Sequence, residues 1–80
     1  MELEKVIDVL AKEKPDKILI YLRDNLLFND DVRTFFSYSK YYRYLENLNV
    51  YCYEHINNEN NTILIRVIEL RSWLYVRYYN

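Results

Sequence analysis

The chain has 80 residues, 51% of them hydrophobic, with ten tyrosines and a net charge of −1. That length fits one domain with a small core, and that composition excludes a disordered chain, which requires low hydrophobicity and few aromatics. The near-neutral balance excludes a strongly one-signed field over the whole molecule.

Residues 2–13 read as a helix. Leu3, Val6, Ile7 and Leu10 fall at helical spacing, while Glu2, Lys5, Asp8 and Lys12 line the other side. Pro15 ends this helix and is suited to start the next, with Asp16 behind it. The run Ile18-Leu19-Ile20-Tyr21-Leu22 suits a buried strand or a helix, since short apolar runs carry no decisive period. The Pro-Asp start and the spacing of Ile18, Leu19, Leu22 and Leu26 favour a helix over 16–24. Asn29 or Asp30 then caps a short helix through Phe36, with Val32 and Phe35 or Phe36 facing inward.

Ser37 or Ser39 caps the next helix, which runs to about Leu48 with Tyr41, Leu45 and Leu48 on one face and Tyr44 beside it. Two β-rich runs follow, Val50 to Ile56 and Thr62 to Leu70, joined by Asn57-Asn58-Glu59-Asn60-Asn61. Pairing Ile56 with Thr62 sets Tyr51, Tyr53 and His55 on one face against Val67, Ile65 and Ile63. The other face carries Cys52 and Glu54 beside Arg66 and Leu64, and Glu54 comes within reach of Arg66 for an ion pair. Residues 71–80 fit a strand (Trp73, Tyr75 and Tyr79 alternating) or a helix capped by Ser72. The expected class is α+β, with N-terminal helices followed by a C-terminal β-hairpin. It divides into a helix (1–14), a helical core (15–48), a hairpin (49–70) and an aromatic C-terminal segment (71–80).

From Phe28 to Leu70 this order resembles a winged helix-turn-helix domain, and it is similar to small transcription regulators of viruses and plasmids of thermophilic archaea. The resemblance implies a regulator that binds double-stranded DNA. The helix from Ser37 to Leu48 would enter the major groove, presenting Tyr38, Ser39, Lys40, Tyr42 and Arg43 with Ser37 as its cap. The loop with Asn58 and Asn60 would be the wing tip. Lys and Arg suit guanine edges or phosphates and Tyr suits phosphates. Asparagine hydrogen-bonds sugar and phosphate oxygens but releases no counterions, so useful affinity calls for a homodimer. Trp73, Tyr75, Tyr78 and Tyr79 are candidates for its interface, because Trp and Tyr bury much area at little rotamer cost; the intrachain core is the other place for them.

No catalytic residue, metal site or cofactor is expected. Cys52 and His55 are each the sole residue of their type, which removes an intrachain disulfide, Cys-based metal sites and a nucleophile with a spare base. His55 reads as a partly buried, satisfied histidine, and Cys52 as a small, semi-buried hydrophobe. The carboxylates at Glu2, Glu4, Asp30 and Asp31 suit helix starts. No apolar run approaches the ~20 residues of a membrane span, and the amphipathic, acidic start is unlike a signal peptide. A soluble cytoplasmic protein with no membrane partner is therefore expected. The second functional class compatible with this surface is a small protein-binding inhibitor or adaptor.

Overall fold

The computed structural model describes residues 3–37, 44–56 and 61–68. They form an α+β structure with α1 (Val6–Glu13), β1 (Lys17–Leu22), β2 (Asn25–Asp31), α2 (Val32–Ser37), β3 (Asn49–Ile56) and β4 (Thr62–Ile68); residues 44–46 are also helical. The strands make one four-stranded sheet in the order β2-β1-β4-β3. Each hairpin, β1–β2 and β3–β4, is antiparallel, and the two join through parallel pairing of β1 with β4. No helix among the described residues is long and apolar enough to cross a membrane.

This order corrects the expectation of N-terminal helices followed by a single hairpin. Residues 16–24 are not helical: they supply β1 and the Arg23-Asp24 turn of an additional hairpin. The reason is the position of β1 in the middle of the sheet. Ile18 and Ile20 are fully buried on one face, and Leu19 and Tyr21 are half-buried on the other. A strand apolar on both faces shows no alternation and reads like a helix segment. Pro15 ends α1 as expected, but it leads into a strand.

The inner face holds the core. Parallel pairing sets Ile18 beside Ile63, Ile20 beside Ile65 and Leu22 beside Val67. Val6, Val9 and Leu10 of α1, Phe28, Phe35, Leu45, Leu48 and Val50 complete the cluster. Helix α1 begins later than its spacing suggests, leaving Leu3 42% exposed. Its first turn is tied to β3 instead: the Val6 N–H donates to the Leu48 carbonyl (3.1 Å) and the Val50 N–H to the Glu4 carbonyl (2.8 Å). Asp8 accepts from the Lys5 N–H (3.0 Å), closing the helix start. At the other end Lys14 takes a left-handed conformation (φ 49°) and its N–H donates to the Leu10 carbonyl (2.9 Å). Glycine usually fills such a position, and this chain has none.

Hairpin β3–β4 has the expected register from Ile56 against Thr62 to Tyr53 against Ile65. A bulge between Val50 and Cys52 then sets Val50 against Val67, and Tyr51 is 71% exposed. The extra residue of a bulge shifts the facing pattern by one, which corrects the expected pairing of Tyr51 with Val67. Arg66 lies over the Tyr21 ring, 5.7 Å from its centroid, in place of the expected pair with Glu54.

Candidate functional site

Helix α2 leads into the stretch on which the sequence concentrates its candidate contacts. Its cap is Asp31, not Asn29 or Asp30, because β2 continues through Asp31. The Asp31 carboxylate accepts from the Thr34 N–H (2.6 Å), and that bond holds its pKa below the ordinary aspartate range. Phe35 is fully buried, edge-on to Phe28 with ring centroids 5.2 Å apart. Ser37 is exposed and is the last residue of α2. Tyr44 is half-buried against the core, and Leu45 and Leu48 are buried as their spacing suggests. Tyr38, Ser39, Lys40, Tyr42 and Arg43 lie outside the described residues, and so do Asn58, Asn60, Trp73, Tyr75, Tyr78 and Tyr79.

Where the loop of the second hairpin rejoins the sheet, Asn61 acts as a fastener. It takes a left-handed conformation (φ 37°), and its side-chain amide donates to the Lys14 carbonyl (2.9 Å). Its own carbonyl accepts from the Asp16 N–H (2.9 Å), and the Asp16 carbonyl accepts from Val32 N–H (2.9 Å). One end of the sheet therefore gathers the α1–β1 connection, the start of α2 and the root of the Asn-rich loop. A surface recess lined by Pro15, Asp16, Asp31, Val32 and Arg33 lies there.

A polar cluster that the sequence reading missed joins α1 to β3. The Tyr53 hydroxyl donates to Glu13 Oε2 (3.0 Å), and His55 Nε2 lies 3.2 Å from Glu13 Oε1. The Tyr53 bond, and after it His55, outweigh the cost of desolvation and hold the Glu13 carboxyl below its ordinary range. Lys12 pairs with Glu4 at 2.7 Å and lies 5.4 Å from the centroid of the Tyr53 ring. The Glu4 bond, and then Tyr53, hold its ammonium well above the usual lysine range. Both Lys12 and Glu4 are about half exposed, so solvent screens the pair and it adds little stability. His55 is on the inner face as expected, but its side chain is 56% exposed rather than partly buried. One signal was available: Glu13 ends a helix, where the macrodipole disfavours a carboxylate unless a donor meets it.

Chemically this cluster is a brace. A carboxylate held by a phenol and an imidazole fixes helix to edge strand. No group of three or more His, Cys, Asp or Glu among them is placed to hold a metal ion. Cys52 is an exposed free thiol on the outer face of the sheet, more open than the semi-buried hydrophobe expected. No known protein family, curated protein or solved structure matches this chain.

Proposed function

We propose that this protein is a small DNA-binding regulator, active as a dimer inside the cell, whose role is binding and not catalysis. The observation that carries the reading is the bracketing of residues 38–43 by two buried anchors, Phe35 on one side and Leu45 on the other. A segment containing Tyr38, Ser39, Lys40, Tyr42 and Arg43 is thus tethered to the core at both ends. Tethering reduces the entropy lost when its side chains engage a groove. In helix-turn-helix terms α2 is the positioning helix, and the loop carrying Asn58 and Asn60 touches flanking backbone as the wing. That loop stands on β3 and β4, inside a sheet larger than a lone hairpin.

The test is duplex binding by a Lys40→Ala, Arg43→Ala double variant. Loss of a base or phosphate contact at each position is expected to weaken binding by at least about tenfold, with the melting temperature unchanged. Equal binding by variant and parent defeats the assignment of this segment.

A second reading, a protein-binding inhibitor or adaptor, is favoured by one local feature. Asp16, Asp30 and Asp31 gather at the end of the sheet from which the Asn-rich loop leaves, interleaved with Lys14, Lys17 and Arg33, so that end offers a mixed-charge surface and no purely cationic patch for phosphate. The corresponding partner is a protein with a mixed polar surface. Absence of duplex binding at low salt, with capture of such a partner, selects this reading.

A further inference from the structure

The three connections that meet at one end of the sheet are held by bonds that share residues, and Asp16 is the pivot. Its N–H donates to the Asn61 carbonyl (2.9 Å) and its carbonyl accepts from the Val32 N–H (2.9 Å). One backbone setting at Asp16 therefore serves both bonds. Asn61 is bifunctional in the same way, since its side-chain amide also donates to the Lys14 carbonyl (2.9 Å). These bonds lie just outside the ladder: Lys17, the next residue, pairs with Thr62 on one side and Asp31 on the other. The root of the Asn-rich loop, the end of α1 and the first residue of α2 thus form one chain of contacts.

The two residues joined by the Asn61–Lys14 bond are both left-handed, at φ 37° and φ 49°. Arg23 is the other such residue among those described, and a two-residue hairpin turn accounts for it. Asparagine tolerates this conformation. Lysine does not favour it, and Lys14 also precedes Pro15, whose ring drives the preceding residue toward extended geometry. A conformation so disfavoured persists only where its surroundings fix it. Lys14 is fixed from two sides, by its own N–H on the Leu10 carbonyl and by Asn61 on its carbonyl.

We propose that Asn61 is the latch of a small cooperative unit, in which Lys14, Asp16 and Val32 open and close together, separately from the centre of the sheet. Strain at Lys14 brings the open form within reach, and the Asn61 side chain holds the closed one. A ligand that binds only the closed root of the Asn-rich loop therefore steadies the start of α2 without touching it. The latch is a property of the free chain, so its test is separate from that of DNA binding.

The test is amide hydrogen exchange, read by NMR on the full chain without ligand. In the parent, the Lys14, Asp16 and Val32 amides are expected to share one opening, with a weaker denaturant dependence than Ile20 and Ile65 at the centre of the sheet. Asn61→Gly keeps the left-handed backbone and deletes only the side-chain bond to Lys14. The Asp16 and Val32 amides should then exchange about tenfold faster, as loss of one hydrogen bond allows, with Ile20 and Ile65 unchanged. Val32 exchanging at the parent rate in Asn61→Gly overturns the proposal. Equal acceleration across the sheet also overturns it, because the opening is then global. Lys14→Gly relieves the strain and leaves Asn61 in place, so it should slow both amides severalfold. Exchange that is not slowed in that variant counts equally against the latch.

Discussion

The two faces of the sheet come from the same strands, yet they differ in kind. On the inner face, Ile18, Ile20, Ile63 and Ile65 are fully buried and helices close over them. On the outer face, their sequence neighbours Leu19, Tyr21 and Leu64 are only half-buried, among Arg66, Glu54 and Cys52. Adjacent residues of one strand thus serve a packed core on one side and a half-buried surface on the other. What decides a residue's role here is the layer its side chain meets, not its own hydrophobicity.

The sharpest way to break this comparison is to truncate neighbouring residues of β4. Ile65→Ala is expected to cost about 3 kcal/mol, as for a fully buried aliphatic chain leaving a cavity, and Leu64→Ala about 1 kcal/mol. Urea unfolding of both variants measures the difference, and equal losses would erase the distinction between the faces. A smaller effect, of opposite sign, is expected at the end of α1. Lys14→Gly relieves the left-handed conformation and should stabilise the protein by about 0.5–1 kcal/mol, read as a higher unfolding midpoint. A loss there would mean that the Lys14 side chain contributes more than its backbone strain costs.

The smallest effect is a pH dependence. Asp31 and Glu13 both have folded-state pKa values below their ordinary ranges, through the Thr34 N–H and the Tyr53 hydroxyl respectively. A depressed carboxylate stabilises the fold above its unfolded-state pKa, and the contribution is lost as pH falls through the folded value. Melting temperature should therefore decline on the acid side of the carboxylate range. Asp31→Ala and Glu13→Gln should each lower the neutral-pH melting temperature and flatten that decline. An unchanged acid limb in the double variant would place the sensitivity elsewhere.

How much of this was legible in the sequence follows the same division. The β3–β4 hairpin could be read because its residues alternate, and its register was recoverable up to the bulge at Tyr51, which no local signal marks. Strand β1 could not, because its outer face is also apolar. The parallel β1–β4 pairing was beyond reach because it joins residues far apart in the chain and leaves no local pattern. Leu45 and Leu48 were legible as core from their spacing, and the cap of α2 was placed one or two residues early, at Asn29 or Asp30. The Glu13–Tyr53–His55 brace was hidden by distance in sequence, although a carboxylate at a helix C-terminus hinted at a partner. Of the proposed DNA contacts only Ser37 falls among the described residues, where it closes α2.

The functional claim is tested most directly by titrating the purified full-length chain into a fluorescent random-sequence duplex at several salt concentrations. A DNA-binding regulator releases counterions from phosphates, so binding should be micromolar or tighter at low salt and weaken linearly on a log–log plot as salt rises. No binding at the lowest salt would contradict the claim and turn the search to a protein partner.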